Sequence, residues 1–250
     1  MNKFSKYLTL VAAAALCSVS AHAYQVDFNY IVPTDGSGKT SPFVGASNVA
    51  GSNGTVFLET FDTAKGCGLN TPSALVSITG GSFSLQQGTT GSGAAPAGDS
   101  TCFAFGPSPG GALPDTVNID YSGVLATLPT GTYLNYFGLY YGSIDTYNDI
   151  SFYGANGLIT TVTGTELLSL FSGVTGNQTA NSSNIYVNLY FDPSEAFTKF
   201  SFTTTAVAFE MDNVAVGYNI SRQSVPEPAT LALVGLGLLG LAVSRRRKAV

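Results

Sequence analysis

Short apolar and aromatic runs recur along the middle of the chain, separated by clusters of Gly, Ser, Thr and Asn. None carries the 3.6-residue period of an extended amphipathic helix. The pattern predicts strands over residues 55–61, 73–78, 82–86, 116–121, 133–141, 150–153, 158–162, 185–191, 199–203 and 206–216. Residues 116–121 alternate Val117, Ile119 and Tyr121 with polar partners, as a half-buried strand does. Residues 185–191 place Ile185, Val187, Leu189 and Phe191 on one face, because successive strand side chains point to opposite sides. Residues 133–141 (YLNYFGLYY) are apolar on both faces, which predicts a central strand. Gly80-Gly81 predicts a hairpin turn joining 73–78 to 82–86, and Asn156-Gly157 predicts another between 150–153 and 158–162. Residues 88–100 and 172–184 break the rhythm and read as exposed loops, poor in core-building side chains. A short helix near 166–171 is compatible with the pattern but not required by it. So many closely spaced strands without a domain-sized linker predict an all-β unit, a β-sandwich that is most simply jelly-roll-like.

The ends have a different grammar. Residues 1–23 read as a signal peptide: Lys3 and Lys6 precede an apolar stretch over 7–16, and Ala21-His22-Ala23 supplies the small-x-small cleavage pattern. A lipoprotein signal ending at Cys17 is disfavoured by the bulky Leu16 before it. At the other end, Val225-Pro226-Glu227-Pro228 precedes an apolar run over 229–243, followed by a tail over 244–250 that holds Arg245, Arg246, Arg247 and Lys248. Pro228 can stand at a helix start, where its missing N–H costs nothing. At 1.5 Å per residue the run spans roughly 22 Å, short of a bilayer core of about 30 Å. Flanking residues and snorkelling arginines would close the gap of a single transmembrane helix. The basic tail stays in the cytoplasm by the positive-inside rule, which puts the preceding domain outside. The organisation expected is a signal peptide (1–23), a β-sandwich ectodomain (24–224) and a C-terminal segment (225–250).

That C-terminal order of Pro-Glu-Pro, apolar helix and arginine-rich tail resembles the PEP-CTERM sorting signal. The resemblance implies handling by an exosortase-type membrane protease that cuts near the motif, after signal peptidase has removed the leader. Residues 136–153 (YFGLYYGSIDTYNDISFY), 176–179 (GNQT), 185–191 (IYVNLYF) and 208–217 (AFEMDNVAVG) also resemble one family of exosortase-dependent surface proteins. This second likeness implies a surface location and a sandwich fold. It brings no known reaction, and therefore no catalytic residues.

Charge and composition narrow the chemistry. The formal net charge is −5, and the leader and tail hold six of the cations, so the ectodomain between them is more acidic still. Such a surface repels nucleic acid and anionic lipid. The single histidine, His22, lies in the leader, so the mature domain lacks the residue for Ser-His-Asp triads and His-ligated zinc. Once Cys17 leaves with the leader, Cys67 and Cys102 remain as an even pair in an oxidising compartment and are expected to form a disulfide, two free thiols being the alternative.

Three groups are candidate sites. Asp145, Tyr147 and Asn148 gather oxygen side chains between aromatic strands, as a sugar or calcium site does and as an Asx-rich turn also does. Tyr147 is expected to be exposed at that loop tip. Asp62, Glu210 and Asp212 would make a structural calcium site if the terminal strands are neighbours, and otherwise form a solvated acidic face. Tyr136, Tyr140, Tyr141 and Tyr153 are either sugar-stacking platforms or sandwich core. The expected function is a non-catalytic, exosortase-processed surface or matrix protein associated with exopolysaccharide, with no cofactor beyond a structural calcium. A lectin-like glycan-binding module is the alternative, which would show an aromatic groove with convergent polar groups. A hydrolase would show paired carboxylates with shifted pKa values.

Overall fold

The computed structural model describes residues 24–220. The expected signal peptide, sorting motif, transmembrane helix and basic tail lie outside the described residues.

In chain order the strands are β1 (Tyr24–Asp27), β2 (Gly51–Asn53), β3 (Val56–Glu59), β4 (Asp62–Thr63), β5 (Gly66–Cys67), β6 (Ser77–Thr79), β7 (Ser84–Gln87) and β8 (Cys102–Gly106). They continue as β9 (Asp115–Asp120), β10 (Leu134–Gly142), β11 (Asn148–Gly154), β12 (Gly157–Thr163), β13 (Ile185–Phe191), β14 (Lys199–Thr204) and β15 (Phe209–Tyr218). Two short helices, α1 (Ser122–Leu125) and α2 (Gly164–Leu170), connect them. Thr163 caps α2 by accepting the Glu166 N–H at 3.1 Å.

Eight strands form one antiparallel sheet in the order β1-β13-β10-β15-β3-β2, with β8 on the other half of β15 and β7 outside β8. Five form a second sheet in the order β12-β11-β14-β9-β6, and β4 and β5 make a small ribbon. From β9 onward the chain crosses repeatedly between sheets, and each crossing lays apolar side chains into the space between. Phe137 on β10 meets Phe152 on β11 at 5.1 Å and Phe200 on β14 at 4.8 Å between ring centres. Tyr141 stacks on Phe209 at 4.5 Å. This is the all-β sandwich that the short strand spacing predicted, with β10 buried along its whole length as its two-sided apolar pattern required.

The outer face of the five-stranded sheet is polar except where Leu158 and Tyr153 stand side by side at one end. Thr161, Ser151, Ser201, Asn118 and Thr79 stand opposite one another across all five strands. Thr163, Asp149, Thr203 and Thr116 form the next row across four. Neighbouring hydroxyls bond directly, Ser151 to Thr161 at 2.8 Å and Thr116 to Thr203 at 3.0 Å.

Two expectations are corrected. Gly80-Gly81 is not a hairpin turn, because β6 pairs with β9 in one sheet while β7 pairs with β8 in the other. Both glycines have positive φ, and a Cβ on Gly81 would meet the Thr116 carbonyl oxygen at 2.6 Å. The pair therefore bends the chain from sheet to sheet against the backbone of β9, a path closed to residues with side chains. Residues 88–100 are not simply exposed either. Gly93, Ala94 and Pro96 are buried, and the segment lies over the outer face of the eight-stranded sheet.

Cys67 on β5 and Cys102 at the start of β8 form the disulfide, with Cα atoms 5.3 Å apart. It ties the β4–β5 ribbon to the main sheet.

Candidate functional site

Strand β15 carries the densest polar chemistry, because its alternation breaks once. Opposite β10, Gly138 faces Ala215 and Tyr140 faces Asp212, so one residue of β10 spans two of β15. The extra residue is a bulge at Asn213, whose φ is +49°. Phe209, Met211, Val214 and Val216 point into the core. The bulge turns two consecutive polar side chains, Asp212 and Asn213, to the other side, which is how bulges re-aim residues.

That side is not solvated. Residues 29–48 fold over it and are held by buried polar bonds. Asn213 donates to the carbonyls of Ser37 and Lys39 at 3.1 and 2.9 Å, and accepts from Asn48 Nδ2 at 2.7 Å. Asn48 Nδ2 also reaches Asp35 Oδ2 at 2.9 Å. Tyr136 donates to Asn188 at 2.6 Å and pairs with Ser41 at 2.7 Å. Lys39, only 6% exposed, gives its ammonium to Asn184 O at 2.5 Å and Asn181 Oδ1 at 3.0 Å, over the Tyr140 ring. From the other flank, residues 88–101 donate Ala94 N–H to Glu210 and Ala97 N–H to Asn184, both at 3.0 Å, while Tyr140 donates to Ala97 O. The molecule thus has a third, polar layer that the sequence patterns do not announce.

Inside that layer the acids part company. Glu210 accepts from Ala94 N and from the Ser143 hydroxyl at 3.0 Å. Burial pushes its carboxyl up to about 7 against these two donors. Asp212 is completely buried, and neither of its oxygens has a hydrogen-bond partner. Burial raises it well above the ordinary carboxylate range, and repulsion from Asp99 raises it further. The backbone N–H of Asn213 opposes that rise, outside hydrogen-bond geometry with either oxygen. Asp99 is pushed up to about 6, first by burial; its Oδ1 accepts from Thr101 N and Oγ1 at 2.8 Å, while its Oδ2 is buried without a partner. Asp62 accepts the Cys102 N–H at 3.0 Å and is raised chiefly by desolvation.

The expected calcium set of Asp62, Glu210 and Asp212 is therefore not assembled as such. Glu210 is used by its own donors, and among the described residues no three His, Cys, Asp or Glu side chains converge as metal ligands. The solvated acidic face is not found either, since β15 is covered on both sides. Asp99 and Asn48 were missed in the sequence, because each sits in a Gly- and Ser-rich segment that reads as a solvent loop.

Asp145, Tyr147 and Asn148 do lie together, but not as an open platform. Tyr147 is half-buried, and its hydroxyl shares its one proton between Asp145 Oδ2 at 2.6 Å and Val207 O at 2.9 Å. Asn148 is fully buried, with Nδ2 on Ala208 O at 3.0 Å. Asp145 Oδ1 takes the Thr175 hydroxyl at 3.0 Å. The expected exposure of Tyr147 at a loop tip is corrected: its hydroxyl braces the turn to the segment before β15. Tyr147→Ala should lower stability by about 1–2 kcal/mol, a shared hydrogen bond and a partly buried ring being lost. Thermal unfolding of the variant measures this, and an unchanged Tm would show the tyrosine to be free of structural duty. Tyr136, Tyr140 and Tyr141 are fully buried and offer no sugar platform, whereas Tyr153 is partly open beneath Lys199 Nζ, 4.5 Å from its ring centre.

A concave feature of about 70 Å³ opens between the sheets, lined mainly by Phe61, Val76, Phe83, Val117, Phe202 and Met211. Its two carboxylates are already engaged. Glu59 accepts the N–H groups of Phe61, Asn70 and Thr71, and Asp115 accepts that of Ser82. This is an apolar slit, without the convergent polar groups that a sugar-binding groove needs.

The framework is that of an exported β-sandwich stapled by a disulfide. Residues 224–248 match the family model of the PEP-CTERM protein-sorting motif. The chain carries this sorting motif, which marks it as exosortase-dependent, exported as a membrane-anchored precursor and sorted to the surface. No curated protein and no solved structure matches it. Among the described residues no helix is long and apolar enough to cross a membrane, the expected span at 229–243 lying outside them.

Proposed function

We propose that the processed domain is a non-catalytic component of the cell surface or extracellular matrix, associated with exopolysaccharide. The sorting motif carries this reading, because it commits the chain to the surface. The way the acids are used supports the non-catalytic part. Glu59, Asp115 and Glu210 serve backbone or hydroxyl donors, and Asp212 is sealed away from any cleft. The open polar face of the five-stranded sheet, with Tyr153 and Lys199 at one end, is the surface offered to a hydroxyl-rich polymer.

Two measurements test this. Material recovered from the cell surface should lack the segment from about Ala229 onward; mass spectrometry finding Arg245 to Lys248 intact there would sink the sorting step. The purified protein should co-sediment with the host's own exopolysaccharide, more weakly when Tyr153 is replaced by alanine. Absence of co-sedimentation would remove the polysaccharide association while leaving surface sorting untouched. A lectin of defined specificity would instead respond to single oligosaccharides on a glycan array.

A further inference from the structure

We propose that Asp99 and Asp212 hold a calcium ion that fastens the 88–101 cover segment to the bulge of β15. A completely buried carboxylate with no donor on either oxygen is the costliest polar arrangement a fold can contain, and native proteins pair such groups or give them to metals. Asp212 is that group. It faces Asp99, whose own Oδ2 is buried and unpartnered, so two carboxyl groups meet that only a shared proton or a cation can reconcile. The buried cation of the same layer, Lys39, is directed to Asn181 and Asn184 instead.

Other unused oxygen lies in the same polar layer. Asn48 Oδ1 is buried without a partner, and its amide orientation is fixed by Nδ2 bonds to Asp35, Ser37 and Asn213. Asp62 and Asp35 lie close enough to add to the negative field on Asp212. With no thiol or imidazole in the group, this is a hard-oxygen environment, suited to calcium and unsuited to zinc. Two carboxylates leave most of calcium's six to eight positions for neutral oxygens and water, which agrees with the absence of a three-acid cluster among the described residues. The bulge gives the arrangement its cause. Without the extra residue, Asp212 and Asn213 would face opposite sides of the sheet.

The test is a calcium titration of the purified full-length chain in detergent, stripped beforehand with a chelator. Calcium about 100-fold above its Kd should raise Tm by about 5–10 °C. Calorimetry should show one site, and Tb³⁺ in calcium's place should luminesce on tyrosine excitation, with Tyr140 beside the two acids. Asp212→Asn and Asp99→Asn should each abolish the shift, yet leave the metal-free Tm equal or higher because an unpaired buried charge is gone. No shift and no heat in the unsubstituted chain would overturn the proposal, as would an equal shift in Asp212→Asn. An equal response to magnesium would overturn the assignment to calcium.

Discussion

Asn213→Ala should lower the unfolding free energy by about 2–4 kcal/mol. One buried partner, the Lys39 carbonyl, is left without a donor; the Ser37 carbonyl keeps the Lys39 N–H and the Asn48 amide keeps Asp35 and Ser37, each losing one bond. Each unsatisfied buried group costs about 1–3 kcal/mol. Alanine also tolerates the +49° φ of the bulge less well than asparagine. Asn213→Gly separates the two effects, because glycine accepts that backbone and should recover about 1 kcal/mol. Urea unfolding of the three proteins gives the comparison. A loss under about 1 kcal/mol for alanine would mean that water replaces the asparagine, and that the cover over β15 does not depend on it.

Cys67→Ser with Cys102→Ser should cost about 3–4 kcal/mol, the constraint expected from closing a loop over a sequence separation of 35 residues. Reduction of the unsubstituted protein should give the same loss. The ribbon has one other anchor near this point, the bond from Cys102 N–H to Asp62 Oδ1 at 3.0 Å. If the double variant loses less than about 1 kcal/mol, that bond and its neighbours hold the ribbon unaided.

What could be read from the sequence followed from strict periodicity. The face of β13 carrying Val187, Leu189 and Phe191 packs inward as its alternation requires. Asn156-Gly157 turns β11 into β12 because both strands belong to one sheet. The same logic fails at Gly80-Gly81, since local turn chemistry does not say whether the next strand joins the same sheet or the opposite one. Strand β8 (CFAFG) escaped notice because, buried throughout, it shows no alternation. The polar layer escaped because burial of Asn48, Asp99 and Lys39 comes from loops folding back, which no window of neighbouring residues encodes. Its one local trace is the Asp-Asn pair in EMDNVAV, where two adjacent polar residues interrupt an otherwise regular strand.

The hydroxyl rows of the five-stranded sheet bear on crowding at a surface. Strands about 4.8 Å apart set these side chains out as a regular grid, and those open to solvent, Ser201 excepted, can hold first-shell water. For two copies to stack through this face, much of that water would have to be stripped and replaced by bonds of matching geometry, a desolvation cost with little apolar burial to offset it. Stacking of copies through this face is therefore disfavoured. A flexible sugar chain, itself studded with hydroxyls, can meet the same grid through shared water.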